Sequence, residues 1–126
     1  MKCDVECNIL PTPNIRLFHT REKLARFLDR FGIPCEPDKF ADAETWTFDF
    51  DGEAYAVVLY EADIKRSCVD DVSLLAHEAV HVALYTFDCI GESEPAEEEM
   101  CYMVQCILHT LASKHFAWKE RRLSKE

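Results

Sequence analysis

The chain has 126 residues, of which 48% are hydrophobic, and its formal net charge is −10. This length suits one domain with a single core and excludes a large multidomain protein. No stretch approaches the roughly 18 apolar residues of a membrane span, and the first residues do not have the pattern of a signal peptide. We therefore expect a cytoplasmic protein without a membrane partner, whose oligomeric state is unknown.

Acidic residues are concentrated in the middle of the chain. Residues 41–100 contain sixteen acidic side chains against two basic ones, Lys65 and Arg66. Phosphate binding needs a cationic surface, so nucleic acid is excluded as a partner of this region. An acidic rim would instead attract basic protein segments. The basic residues of segments 21–26 and 119–122 are interpreted as solvated helix faces and a tail.

The seven cysteines are predicted to be reduced thiols rather than disulfides. Their number is odd and no secretory signal precedes them. Cys3 and Cys7 do not have the spacing of a zinc knuckle. Cys101 and Cys106 fall on a predicted apolar helix, where free cysteine behaves as a small hydrophobic residue.

Two short elements are predicted near the N-terminus. Residues 14–18 form a candidate strand. Thr20 suits the N-cap of a helix that runs to about Phe31, because apolar residues recur on one of its faces. Gly32, followed by Pro34, is typical of the end of such a helix.

A β-hairpin is predicted next. Residues 45–50 alternate between apolar and polar, Asp51-Gly52 is a strong turn signal, and residues 53–59 form the returning strand. Within this hairpin, residues 54–60 are our candidate for an edge strand that binds an extended peptide by strand addition. A core strand is the favoured alternative for these residues.

Two packed helices are predicted in the C-terminal half. The first contains the apolar run of residues 72–85 and stops near Gly91, which suits a left-handed helix end. The second is capped by Ser93 or Glu94 and has Pro95 in its first turn. Its apolar residues recur at helical spacing: Met100, Met103, Val104, Ile107, Leu108 and Leu111. A small sheet followed by two helices predicts an α+β fold.

The most informative motif is H-E-x-x-H at residues 77–81, within the first of these helices. Histidines at positions i and i+4 lie one above the other, so His77 and His81 can bind a single divalent cation. Glu78 projects beside them and can polarise a water whose pKa is lowered by zinc. The alternative is a pair of ordinary helix histidines with Glu78 facing solvent. Apolar neighbours on both sides favour the metal site, because an unpartnered buried carboxylate is costly.

A catalytic zinc site usually has three protein ligands, so a third must come from outside the motif. Glu97, Glu98 and Glu99 begin the second helix and point about 100° apart, so only one can face the histidines. Acidic residues also suit the positive end of the helix dipole, and the choice among the three stays open. The neighbours that share the face of Glu98 favour it, because they are small or polar: Cys101, Tyr102, Gln105 and His109.

These helices resemble the gluzincin type of zincin metallopeptidases, which carry HExxH on one helix and a glutamate ligand on the next. Residues 98–101 are similar to their Glu-x-x-small motif and begin seventeen residues after His81. Residues 75–82 and 98–103 look more narrowly like small metallopeptidase-like proteins of phages and prophages, which pair an H-E-x-x-H-A helix with an E-A-x-A-Y-L helix. This chain departs from that pattern at Glu99 and Cys101, where alanines are expected.

The resemblance implies a minimal zincin-like fold over residues 1–126, with a small, mostly antiparallel sheet packed on the HExxH helix and on a second ligand-bearing helix. It implies a zinc-dependent hydrolase that acts on a peptide or protein substrate, in the host cytoplasm if phage-encoded. Zinc would be held by His77, His81 and Glu98, with Glu78 as the general base. Tyr102 would support the oxyanion or the metal site, with a packed core tyrosine as the alternative. The alternative function is a non-catalytic zincin-fold module that binds host or phage protein.

Overall fold

The computed structural model describes residues 13–36, 42–61 and 63–125. These residues form three strands and three helices, in chain order β1 (Asn14–Phe18), α1 (Arg21–Asp29), β2 (Ala43–Phe50), β3 (Glu53–Tyr60), α2 (Cys68–Cys89) and α3 (Glu97–Ser124). Each predicted element is present, and the α+β class is confirmed. Among the described residues, no helix is both long enough and apolar enough to cross a membrane.

The three strands form one mixed sheet in the order β1-β3-β2. β1 runs parallel to β3, with Asn14 opposite Tyr55, whereas β2 runs antiparallel to β3, with Ala43 opposite Tyr60. The prediction of a mostly antiparallel sheet is therefore wrong for the pairing of β1 with β3, which is parallel. A strand's side-chain alternation is the same for both pairing directions, so the pattern within residues 14–18 does not specify how they pair.

The interpretation of residues 54–60 as an edge strand is wrong, because β3 is hydrogen-bonded on both sides. Its alternate side chains are buried on opposite faces of the sheet: Val58 and Tyr60 face one cluster, Val57 and Leu59 the other. A strand that is buried on both faces has a nearly continuous run of apolar residues in its sequence. Among the strands of the described ranges, β1 and β2 are at the edges of the sheet.

The sheet lies between two helical layers. One face packs on α1, with Leu24, Phe27 and Leu28 buried. The other face packs on α2 and α3 in a larger cluster, whose helical members are Leu75, Ala79, Val82, Ala83, Phe87, Met103, Ile107 and Leu111.

No disulfide is formed by the cysteines in the described ranges, which are Cys35, Cys68, Cys89, Cys101 and Cys106. Cys3 and Cys7 lie outside those ranges.

The predicted helix ends are partly confirmed. Thr20 caps α1 by accepting a hydrogen bond from the Lys23 backbone N–H, but the helix ends at Asp29 rather than near Phe31. Gly91 adopts a positive φ of 77° after α2, as expected for a left-handed stop. The prediction that Ser93 or Glu94 caps α3 is wrong. The helix starts later, with Ala96 at the N-cap and no side-chain cap.

A buried polar network joins α2 to α3. Asp71 is fully buried and accepts hydrogen bonds from the Tyr60 hydroxyl at 2.5 Å and from Lys119 Nζ at 2.7 Å. His115 Nε2 lies 3.2 Å from the same carboxylate. Burial raises the pKa of Asp71, but hydrogen bonds from Lys119 and Tyr60 outweigh it and bring the pKa below its usual value. The network therefore holds an ionised carboxylate in the core and fixes the register of the two helices.

Candidate metal site

His77 and His81 lie on the solvent-facing side of α2, one helical turn apart. Their Nε2 atoms are 3.2 Å apart, and their ring planes are inclined by 71°. The i, i+4 spacing explains this proximity, because it places both side chains on one helix face. The two imidazoles converge on a single point, as the motif predicts.

The separation of the two Nε2 atoms suits shared binding of a zinc ion. With Zn–N distances of about 2.0–2.1 Å and a tetrahedral angle, two zinc-bound nitrogens lie about 3.3 Å apart. An N–H···N hydrogen bond between neutral imidazoles has a similar length. The separation of the two nitrogens therefore matches two positions of a zinc site as well as a hydrogen bond between the rings.

Glu78 is only 4% exposed, although the histidines on either side of it are open to solvent. Its Oε1 accepts a hydrogen bond of 2.9 Å from the Thr45 hydroxyl, and its Oε2 lies 3.9 Å from His77 Nε2. One carboxylate oxygen is thus held by β2 while the other faces the histidine pair. The alternative of a solvent-facing Glu78 is wrong.

Thr45 was missed by the sequence analysis. It lies on β2, 33 residues before Glu78, and only the packing of β2 on α2 brings the two side chains together. Tyr85 strengthens the same junction, because its single hydroxyl proton is shared between the Phe48 carbonyl at 3.0 Å and Asp49 Oδ1 at 2.9 Å. Burial, followed by the hydrogen bond to Asp49, raises the pKa of Tyr85 above its usual value.

A cleft of about 320 Å³ lies where β2 meets α2. Strand residues form one wall and the HExxH helix forms the other: Ala43, Glu44, Thr45, Thr47, His77, Glu78, His81 and Tyr85. The volume is at the lower end of the range for small-molecule sites. The strand beside the motif is thus β2, an edge strand, rather than residues 54–60.

Glu98 is placed in the first turn of α3 and is exposed, as is Glu97, whereas Glu99 is partly exposed. Because α3 runs antiparallel to α2 and His115 pairs with Asp71, the α3 residue level with His81 is close to Gln105. Glu98 lies seven residues nearer the loop, about 10 Å along the helix axis. Within the described ranges, no three His, Cys, Asp or Glu side chains are grouped closely enough to hold a metal ion.

Tyr102 is 50% exposed, so its interpretation as a packed core tyrosine is wrong. It lies one turn after Glu98 on the exposed side of α3, and its hydroxyl has no hydrogen-bond partner among the described residues. Substitution there should therefore perturb the core little.

Comparison with known proteins gives no match to a protein family, to a curated protein or to a solved structure. The function is therefore inferred from the residues of the cleft and their geometry.

Proposed function

We propose that the protein is a zinc-dependent hydrolase that cleaves peptide bonds, with a zincin-like arrangement of its two C-terminal helices. The observation that carries this proposal is the convergence of His77 and His81 beside the buried carboxylate of Glu78. Two imidazoles with a nearby glutamate are the metal-binding and acid–base parts of an HExxH site.

Each side chain of the cleft has a separate role in the proposed hydrolysis. Zinc, when bound by His77 and His81, would lower the pKa of a water toward neutrality and polarise the substrate carbonyl. Glu78 would accept the proton of the attacking water and return it to the leaving amine. Thr45 positions Glu78, since its hydroxyl donates to Oε1 and leaves Oε2 directed toward the histidines.

Glu98 is the third ligand that we propose, as the resemblance to gluzincins implies. Its place about 10 Å along the axis from the level of His81 requires the first turn of α3 to move along that axis toward the histidines when zinc binds. That turn has no side-chain cap to hold it, which supports such a movement. Glu98→Gln should weaken zinc binding more than Glu97→Gln does, and equal affinities in the two variants would remove Glu98 from the site.

The free edge of β2 is the surface that we propose for the substrate. β2 pairs with β3 along one side, and no strand in the described ranges covers its other side. An extended peptide can add to such an edge through main-chain hydrogen bonds, which would place its backbone over the cleft.

A second candidate function is a non-catalytic module of phage or prophage origin that uses the same cleft to bind protein. It is favoured by the absence of a third grouped metal-ligating side chain among the described residues. Zinc binding without turnover of any peptide would support this candidate over the hydrolase.

Zinc stoichiometry tests the metal site directly. We expect about one zinc per chain in the wild-type protein and none held stoichiometrically in His81→Ala, because only two of the three proposed ligands, His77 and Glu98, would remain. His109→Ala is the matched control, since His109 is exposed on α3 and does not line the cleft. Metal analysis after dialysis measures both variants. Full zinc occupancy in His81→Ala would overturn the site.

Tyr102→Phe tests the proposed oxyanion donor. Loss of one such donor typically costs 10²–10³ in kcat, so we expect peptide turnover to fall by about that factor with zinc content unchanged. Tyr55→Phe is the control, because it also removes an exposed tyrosine hydroxyl, one that donates to Glu53. Turnover equal to wild type in Tyr102→Phe would exclude this role.

A further inference from the structure

A second cavity lies away from the HExxH cleft and shares no lining residue with it. Its volume is about 610 Å³, within the usual range for small-molecule sites. It is formed where β1 passes into α1, opposite the end of α3 and the loop before α2. Its apolar wall contains Leu17, Phe18, Ile64 and Trp118.

Three basic side chains line this cavity, although the net charge of the protein is −10. Lys23 comes from α1, Lys65 from the loop and Arg122 from α3, and none of them forms an ion pair within the described part of the chain. The one acidic residue in the lining is Asp63, whose carboxylate accepts a hydrogen bond from the Lys65 backbone. The local charge therefore favours an anion.

The N-terminus of α1 also borders the cavity, since Thr20 and Lys23 both line it. The Lys23 N–H is already bonded to the Thr20 hydroxyl, but the N–H groups of the two residues before it lack partners within the helix, and the helix dipole adds positive potential there. Together with lysine and arginine side chains, a helix N-terminus is a common binding site for phosphate.

His19 forms a rigid, polar part of the wall. It is 6% exposed, stacks on Trp118 at 4.0 Å with nearly parallel rings, and its Nε2 lies 3.1 Å from His115 Nδ1. Its Nδ1 has no hydrogen-bond partner among the described residues. Burial, followed by the nearby charges of His115 and Lys23, lowers the pKa of His19 to about 3.

We propose that this cavity binds a small organic phosphate, a phosphomonoester whose dianion contacts Lys23, Arg122 and the N-terminus of α1. The organic part would lie against the apolar wall formed by Phe18 and Ile64. This site is independent of the proposed hydrolase activity. It brings together the two basic segments, one on α1 and one on α3, that sequence patterns alone assign to solvent.

Calorimetric titration with phenyl phosphate, inorganic phosphate and phenol distinguishes the sources of binding. We expect saturable one-to-one binding of phenyl phosphate, at least about tenfold weaker binding of inorganic phosphate, and no binding of phenol. Affinity should fall as salt is raised, because the contacts are ionic. No saturable binding of phenyl phosphate, or equal affinity for inorganic phosphate, would overturn the proposal.

Charge-removing variants locate the site. Lys23→Gln and Arg122→Gln should each weaken phenyl phosphate binding by about tenfold, the effect of roughly 1.4 kcal/mol. Lys114→Gln, which removes an exposed cation from α3 outside the cavity lining, should leave the affinity unchanged. Equal affinities in the three variants would contradict the proposed location.

Discussion

Glu78→Gln is expected to lower peptide hydrolysis by about two or more orders of magnitude, the usual contribution of a positioned acid–base group. The glutamine is nearly isosteric, and its carbonyl oxygen can still accept the hydrogen bond from Thr45. Fold and zinc content should therefore be retained while the proton acceptor is lost. The measurement is turnover of a peptide library by metal-loaded wild type and variant, with zinc content determined on the same samples.

The control for this experiment is Glu120→Gln, which neutralises an exposed carboxylate on α3 outside the cleft. It should hydrolyse peptides at the wild-type rate. Equal activity of Glu78→Gln and wild type would remove Glu78 from the mechanism. Inactivity of all three proteins, with zinc bound, would favour the non-catalytic binding module.

Asp71→Asn is expected to destabilise the fold by about 3–5 kcal/mol, because it leaves the buried ammonium of Lys119 without its counter-charge. That loss is a large part of the stability of a small domain. Urea unfolding followed by circular dichroism measures the change. Because folding lowers the pKa of Asp71, its ionic contribution is complete above about pH 4, the unfolded value, and is lost as the pH falls through the folded value.

The neighbouring residue provides a matched control. Asp70 is exposed in the first turn of α2, so Asp70→Asn should change stability by about 1 kcal/mol at most, through the helix dipole. The double variant Asp71→Asn/Lys119→Met should recover part of the loss, because it also removes the uncompensated charge. Equal destabilisation in Asp70→Asn and Asp71→Asn would show that the buried network contributes no special stability.

Local sequence patterns predicted the elements well. Alternation and an Asp-Gly turn predicted the β2-β3 hairpin, and Thr20 marked the start of α1. The convergence of His77 and His81 also followed from the sequence, because their distance depends only on the geometry of one helix. These features depend on residues within a few positions of each other.

The sequence by itself therefore determined the α+β class, the two C-terminal helices and the paired histidines of the HExxH motif. Only the tertiary structure decided that β3 is central and β2 lines the cleft, that Thr45 holds Glu78, and that Glu98 lies beyond the level of His81. It also brought Lys23 and Arg122 to one cavity. Strand order, helix register and contacts between distant side chains depend on how segments far apart in sequence pack together. Short-range periodicity does not encode that packing.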